Sequence, residues 1–241
     1  MENRYLPRTL LLLTTIAFVL APAFTPAFRG YDPALFPVQI GRPAIQPAGY
    51  AFSIWGVIYL WLILHAGFGL LKRRDNPIWA RPLWSTVGAV GLGTVWLAIA
   101  TSAPITATVT IIIMAALAVS AFLIADTDTD PWLLPAPLAV FAGWVTAASA
   151  VSTGVLIAGY GVLSNTGSAL AMLVLVLLIA ASVQSRRPKM PLYGATVTWA
   201  IIGVFIANWG LNTTIAIAAA IGALVMALIT LLMARRPISS V

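Results

Sequence analysis

The feature that most constrains this chain is a series of long stretches with almost no charged side chains. Only 8% of the 241 residues are charged and 61% are hydrophobic, whereas soluble domains carry about 25% charged residues. A bilayer core about 30 Å thick needs roughly 20 apolar residues in one helix, and these runs lack the alternation of a membrane barrel. We therefore predict an all-α, polytopic membrane protein with about eight transmembrane helices. The predicted spans are Thr9–Phe28, Gly49–Leu71, Pro82–Thr101, Ile105–Ala125, Leu133–Ala158, Ser168–Gln184, Leu192–Trp209 and Thr214–Ala234.

The basic residues between these stretches indicate how the chain crosses the membrane. If the N-terminus is cytoplasmic, 11 of the 13 Lys and Arg residues fall in cytoplasmic segments, and only Arg29 and Arg42 lie outside. Because cytoplasmic loops are enriched in Lys and Arg, this placement favours cytoplasmic N- and C-termini in a bacterial-type inner membrane. Orientation and anionic lipid headgroups then explain the net charge of +7, and we expect no nucleic-acid partner.

The predicted spans lack the side chains that most membrane chemistry needs. No acidic or basic residue lies deep in a span, and ionisable groups at that depth usually mark ion pathways or proton relays. Cys is absent, which excludes disulfides and thiolate ligands, and no cluster of metal-ligating residues stands out. We therefore expect neither an enzyme, nor a metalloprotein, nor an ion-coupled transporter.

His65 is the only histidine, and it lies in the cytoplasmic half of the second predicted span. A neutral imidazole there could ligate the central metal of a haem or a chlorophyll-type pigment. It could equally form a hydrogen bond within the bundle or reach toward the lipid headgroups. The sequence leaves these alternatives open.

The most specific pattern in the chain is a proline-punctuated loop that leads directly into the second span. Pro43 and Pro47 lie in this loop, and because prolines lower the entropy lost on ordering a chain, we expect the loop to act as a lid. In the span that follows, Phe52, Trp55 and Tyr59 lie at positions i, i+3 and i+7. This spacing places the three aromatic side chains on one helix face.

A second group of side chains, on the fifth span, could form an opposite wall. Trp144, Ala148 and Ser152 lie at i, i+4 and i+8, and Trp96 is a further aromatic candidate in the third span. If the faces meet, they enclose a pocket with aromatic walls, a small-residue floor and the hydroxyls of Tyr59 and Ser152 to orient a guest. That is the usual composition of a small-molecule site. Packing of the same residues in a core is the alternative.

Three asparagines lie near the outer ends of the later spans: Asn165, Asn208 and Asn212. A buried amide needs hydrogen-bond partners. Near a membrane interface, helix ends and loop carbonyls supply such partners, so we expect capping or loop hydrogen bonds at these positions.

Together, these residues resemble the TspO/MBR family, the tryptophan-rich sensory or translocator proteins. The family pattern has a proline-rich loop after the first helix, a Trp and a Tyr four residues apart in the second helix, and later a Trp followed four residues on by Ala. The resemblance covers roughly Thr9 to Ala158. The residues that carry it are Pro43, Pro47, Phe52, Trp55, Tyr59, Trp144 and Ala148.

The resemblance implies a five-helix bundle at residues 1–160, extended by three more transmembrane helices at residues 161–241. It also implies a ligand cavity that opens toward the first loop, with the matching aromatic residues and Ala148 in its wall. Members of the family bind porphyrins and other hydrophobic molecules, and bacterial members are linked to tetrapyrrole sensing and photosynthesis genes. The chain departs from the pattern at Ser152, where an Asn is usual, and at Ala48, where the loop usually has a second proline. These departures prevent the family's ligand from being carried over.

We therefore expect an integral membrane protein that binds a hydrophobic ligand in a sensory or regulatory role. The resemblance favours a tetrapyrrole- or carotenoid-like molecule, such as a porphyrin, a chlorophyll-type pigment or a carotenoid. One alternative is an auxiliary structural subunit of a larger membrane complex, for example a photosynthetic one, because three added helices offer lateral surface. A further alternative is a carrier of lipids or pigments. The expected partners are the lipid bilayer, the hydrophobic molecule, and either a membrane-protein complex or a second copy of the chain.

Overall fold

The computed structural model describes residues 6–26, 28 and 30–235. This part of the chain is helical and contains no strand, as the sequence predicts. Its short helical turns are Ala21–Ala23, Pro33–Leu35, Gly49–Ser53 and Pro77–Ala80. Its eight long helices are α1 (Leu6–Leu20), α2 (Ile54–Lys72), α3 (Leu83–Ala100), α4 (Pro104–Ile124), α5 (Pro135–Gly159), α6 (Asn165–Arg186), α7 (Leu192–Asn208) and α8 (Thr213–Ala234).

These helices have the length and composition of membrane spans. With their adjoining short turns, seven helical stretches of the described chain are long and apolar enough to cross a bilayer. Helix α7 is also apolar but has 17 residues, about 25 Å at about 1.5 Å per residue, which is the short end of the range for a span. Each predicted span coincides with one long helix. The chain is therefore a multi-pass helical membrane protein, as predicted.

The first helix is shorter than the sequence analysis predicted. Its α-helical part ends at Leu20 rather than continuing to Phe28, and a 3₁₀ turn at Ala21–Ala23 follows it. Pro22 explains the end of the helix, because proline has no backbone N–H to donate to the carbonyl four residues earlier. A second proline, Pro26, then keeps the following segment from resuming the helix.

Helices α1 to α5 form a closed ring. Helix α1 packs between α2 and α3, α3 packs on α4, α4 on α5, and α5 returns to α2. Phe18 projects from α1 into this ring, where its side chain meets the rings of Tyr59 and Phe141 at centroid distances of 5.2 and 5.9 Å. The ring therefore brings the aromatic face of α2 toward α5.

Helix α5 belongs to two groups of helices at once. It completes the ring on one side, and on the other it packs on α6 and α7, which in turn pack on α8. Its residues 135–147 are all buried, as expected for an apolar helix surrounded by protein. One cluster of buried hydrophobic side chains extends from Phe18 to Met226, across the boundary predicted near residue 160. The division of the chain at that boundary stays a prediction.

Helices α5 and α7 approach each other closely because a glycine lies where they cross. A Cβ atom built on Gly143 would lie 2.7 Å from the carbonyl oxygen of Tyr193. Small residues permit such close backbone contact between helices in lipid. The crossing holds the N-terminal end of α7 against α5.

Candidate functional site

The ring of helices encloses a cavity of about 300 Å³, which we call the ring cavity. All five helices α1 to α5 contribute to its wall, and its described lining contains no charged side chain. An apolar, largely aromatic wall with few polar groups is typical of sites for small hydrophobic molecules. The lining residues are Phe18, Pro22, Thr25, Pro26, Phe28, Phe52, Trp55, Tyr59, Gly93, Trp96, Leu97, Ile111, Met114, Trp144 and Ala148.

The aromatic side chains of α2 and α5 meet in the wall of the ring cavity. Trp55 and Tyr59 lie one helical turn apart and stack at 5.2 Å with an interplanar angle of 24°. The ring of Trp144 forms T-shaped contacts with the rings of Phe52 and Trp55, with centroid distances of 5.7 and 6.1 Å. The two faces that the sequence analysis placed opposite each other are therefore in contact. Whether they hold a ligand stays a prediction.

The indole N–H of Trp144 is the distinctive polar group of this site. Trp144 is only 3% exposed, and its Nε1 is the one buried side-chain nitrogen or oxygen, among the described residues, that has no hydrogen-bond partner. Buried donors in native proteins nearly always have an acceptor, and leaving one unpaired costs about 1–3 kcal/mol. Trp144 lines the ring cavity, so a guest whose acceptor atom reached this buried N–H would satisfy it.

Four of the other tryptophan N–H groups donate to protein acceptors, those of Trp61, Trp79, Trp96 and Trp199. Trp96, also in the cavity wall, donates to the carbonyl of Ala107 at 2.9 Å. Trp199 donates to the carbonyl of Ala51 at 3.0 Å. Sequence analysis identified Trp144 as a cavity residue but could not distinguish its N–H from the others, because the partners of these donors are not encoded by helical spacing.

A second, smaller cavity of about 90 Å³ adjoins the first, and we call it the outer cavity. It lies beside the C-terminal half of α5 and extends to α6, α7 and the loop between α1 and α2. Pro47 and Ser152, both predicted site residues, line this cavity rather than the ring cavity. The residues that line both cavities are Phe28, Phe52, Trp96, Ile111, Trp144 and Ala148.

The hydroxyl of Ser152 was predicted to orient a guest, but in the structure it has two protein partners. It forms hydrogen bonds with the hydroxyls of Tyr31, at 2.5 Å, and Thr108, at 2.7 Å. Burial raises the pKa of Tyr31, so this phenol stays protonated and can donate at neutral pH. Tyr31 comes from the loop and was not identified from the sequence, because a lone aromatic residue in a loop has no periodicity. Ser152 thus fastens the loop to α5.

The loop between α1 and α2 is fixed mainly to the later helices. The backbone N–H of Ala48 donates to the carbonyl of Gly203 at 2.9 Å, and Asn208 donates to the carbonyl of Ala44 at 2.8 Å. The N–H of Ala44 donates to the side chain of Asn165 at 2.8 Å. These are the loop hydrogen bonds expected of Asn165 and Asn208.

The two loop prolines predicted as a lid occupy different places. Pro47 lines the outer cavity and lies against Gly203 of α7. Pro43 does not line the ring cavity or the outer cavity; it lines a third space of about 380 Å³ between the loop and the C-terminal part of α5. Pro47 is therefore the one that covers the candidate site directly.

His65 lies apart from both cavities. Its side chain is 3% exposed, its Nδ1 donates to the carbonyl of Leu133 at 2.8 Å, and its ring stacks on Trp79 at 5.2 Å. Of the alternatives that the sequence left open, the hydrogen bond within the bundle is the one present. The candidate site therefore rests on the aromatic cavity and not on this histidine.

Comparison with known proteins identifies the family of the chain. The family model described as TSPO-like protein matches residues 10–232 of the chain, a range that includes α6, α7 and most of α8. No curated protein and no solved structure matches the chain significantly. The match spans nearly the whole sequence, and it includes every residue that lines the ring cavity. The chain therefore belongs to the TSPO-like protein family.

Proposed function

We propose that this membrane protein binds a hydrophobic, tetrapyrrole- or carotenoid-like molecule in the ring cavity, in a sensory or regulatory role. The observation that carries the proposal is the unpaired N–H of Trp144, a residue in the wall of a largely apolar, aromatic cavity. A protein that used these residues only for packing would gain by placing an apolar side chain there, because a buried unpaired donor is destabilising.

The shape and chemistry of the wall support a conjugated guest. Stacked and edge-on rings from α1, α2 and α5 surround the cavity, and aromatic rings favour such contacts with other π-systems. A porphyrin, a chlorophyll-type pigment or a carbonyl-bearing carotenoid would also supply an acceptor for Trp144. We propose binding rather than catalysis, since the described lining offers a site for recognition but no acid–base pair.

The contacts of the loop suggest how binding could be signalled. Pro47 borders the outer cavity, and the same loop is hydrogen-bonded to Gly203 and Asn208 of α7. A guest that displaces the loop would therefore also act on α7 and on α8, which packs against it. A ligand can shift an equilibrium only by its differential affinity for the two states, and the loop contacts are where such a difference would arise.

The proposal is tested by titrating the purified protein with protoporphyrin IX and following the quenching of tryptophan fluorescence. We expect saturable quenching, and in Trp144→Phe we expect affinity about five- to tenfold weaker, because the aromatic ring remains but one hydrogen bond of about 1 kcal/mol is lost. Trp84→Phe is the matched control, since Trp84 on α3 is 62% exposed; it should change the signal but not the affinity.

The outcome also separates the proposal from its alternatives. Quenching that does not saturate in the wild-type protein, or equal affinity in wild type and Trp144→Phe, would contradict binding in the ring cavity. The alternative of an auxiliary subunit would then be favoured if mild extraction recovers the protein in a stoichiometric complex. A carrier, by contrast, would bind the porphyrin and also exchange it between vesicles.

A further inference from the structure

The outer cavity extends the candidate site beyond the five-helix ring. It shares six lining residues with the ring cavity, among them Trp144 and Ala148, so the two spaces adjoin along one face of α5. Its far wall is made by Leu173 and Val176 of α6 and by Ala200 of α7. Helices that the sequence analysis treated as additions to the bundle thus contribute directly to the site.

Small side chains on α5 line the outer cavity. They are Ala147, Ala148 and Ala150, and Ala148 also lines the ring cavity. Each ends at its Cβ atom, whereas a leucine at the same place would project three further carbon atoms into the space. Where the two cavities adjoin, the short side chain of Ala148 leaves room for a narrow group beside the broad indole of Trp144.

The chemistry of the outer cavity favours hydrocarbon. Its side chains are predominantly aliphatic or aromatic, and the hydroxyls of Tyr31 and Ser152 are already hydrogen-bonded to each other. Gln46 also lines the cavity and has its own interaction. Most of this wall offers a polar group of a guest nothing to replace its lost water, which is unfavourable. Trp144 lines both cavities, so we place the polar atom of the guest beside its N–H.

We propose that the ligand of the ring cavity carries a narrow hydrocarbon arm that enters the outer cavity between α5, α6 and α7. This inference rests on the proposed function and adds the class of ligand to it: an isoprenoid-type chain attached to a group with a hydrogen-bond acceptor. The chain could belong to a free isoprenoid or to the tail of a tetrapyrrole, and the experiment distinguishes these two sources.

The first arm of the experiment uses free isoprenoid alcohols of increasing length. Geraniol, farnesol and geranylgeraniol are titrated by calorimetry into the wild-type protein and into Ala200→Leu, which fills the outer cavity from α7. Each fully buried methylene contributes roughly fourfold to affinity. We expect Ala200→Leu to lower the affinity for geranylgeraniol at least tenfold, and the affinity for geraniol to change less than twofold.

The second arm tests a tail on a macrocycle. Methyl pheophorbide a and pheophytin a share one ring system and differ in the esterified alcohol, which is methanol in the first and phytol in the second. If the natural source is a tailed pigment, Ala200→Leu lowers the affinity for pheophytin a at least tenfold and leaves the affinity for methyl pheophorbide a unchanged. If free isoprenoids are the source, only the alcohols show this dependence on length.

Two further variants keep the result interpretable. Val176→Phe fills the outer cavity from α6 and should act like Ala200→Leu, so the test does not depend on the folding of one variant. Ala195→Leu is the matched control, because Ala195 lies on α7 but is exposed, and it should alter no affinity. Comparing each variant with the wild type also cancels the partition of long chains into detergent.

The outcomes for the inference and for the proposed function are distinct. Suppose that geraniol or methyl pheophorbide a binds, and that the long-chain or tailed probes keep the same extra affinity in Ala200→Leu and Val176→Phe as in the wild type. The inference is then overturned and the proposed function stands. The inference is also overturned if the filled variants weaken short and long probes equally. If no probe binds the wild-type protein, the proposed function fails, and the inference fails with it.

Discussion

Pro47 of the loop lies directly on Gly203 of α7, where an added Cβ atom would come within 2.8 Å of the Cβ of Pro47 and 2.9 Å of that of Ala51. The absence of a side chain at Gly203 therefore allows the loop to lie flat over the outer cavity. The hydrogen bond from Ala48 to the carbonyl of Gly203 holds it there. The lid of the candidate site is thus built jointly by the first loop and by a late helix.

The first prediction concerns this contact. Gly203→Ala should lower the free energy of unfolding by about 1–3 kcal/mol, because overpacking forces the loop away from α7. The loop should also become more susceptible to limited proteolysis. Gly91→Ala on α3 is the control, since no atom lies within 4 Å of a Cβ there; it should be neutral or slightly stabilising. Equal effects of the two substitutions in thermal unfolding would contradict the account.

The second prediction concerns the hydroxyl network that fastens the loop to α5. Tyr31→Phe removes the hydroxyl group that is hydrogen-bonded to Ser152 and Thr108, which should lower the stability of the loop contact by about 1 kcal/mol. Hydrogen exchange of amides at residues 30–48 should then be roughly fivefold faster, since 1 kcal/mol corresponds to about that factor. Tyr160→Phe is the control, because Tyr160 is 44% exposed; exchange at the loop should not change.

The third prediction concerns pH and the carboxylate of Asp130, in the loop before α5. Asp130 accepts hydrogen bonds from Arg73, at 2.7 and 3.0 Å, and from Trp79, at 2.8 Å. The hydrogen bond from Arg73 is the main cause that holds the pKa of Asp130 below its usual value. Because the folded pKa is depressed, the stabilisation is complete above the unfolded value of about 3.9 and is lost as pH falls through the folded pKa.

Thermal unfolding at pH 7 and at pH 3 checks this sign. The Tm of the wild type should fall on acidification below about pH 4. The Tm of Asp130→Asn should be lower than that of the wild type at pH 7 and should fall less between pH 7 and pH 3. Asp128→Asn is the control, because Asp128 and its partner Lys189 are 74% and 46% exposed and such pairs contribute little. If Asp128→Asn reduces the fall in Tm between pH 7 and pH 3 as much as Asp130→Asn does, the assignment to Asp130 is contradicted.

The fourth prediction concerns the crossing of α5 and α7, which positions the outer cavity. Gly143→Ala should destabilise the protein by about 1–3 kcal/mol or more, because the Cβ would meet the backbone oxygen of Tyr193, which cannot rotate away. Gly67→Ala on α2, where a Cβ meets no atom within 4 Å, should leave Tm nearly unchanged. A Gly143→Ala variant as stable as Gly67→Ala would show that the two helices do not cross closely.

The number of helices and the approximate bounds of most of them could be predicted from the sequence because both follow from local properties. Apolar runs of span length indicate that lipid surrounds them. Pro22 and Pro26 are a sequence signal for the early end of α1, but the length of the apolar run was given more weight in the prediction. The face shared by Phe52, Trp55 and Tyr59 follows from helical periodicity alone. These features need no knowledge of distant contacts.

The rest of the candidate site depends on contacts between residues far apart in the chain. The link between Ala44 and Asn208 joins positions separated by 164 residues, and Tyr31 reaches Ser152 across 121 residues. No periodicity encodes such pairs, so the role of α7 under the lid and the protein partners of Ser152 emerged only from the structure. The unpaired N–H of Trp144 is likewise a property of its surroundings and not of its position in the sequence.

The measurement that tests the central claim most directly is a structure of the protein determined with protoporphyrin IX bound. The account predicts the macrocycle in the ring cavity, against Trp55 and Tyr59, with an acceptor atom about 3 Å from Nε1 of Trp144. Contradiction would come from a porphyrin held only at the lipid-facing surface, or from a ring cavity unchanged by saturating ligand with the N–H of Trp144 still unpaired.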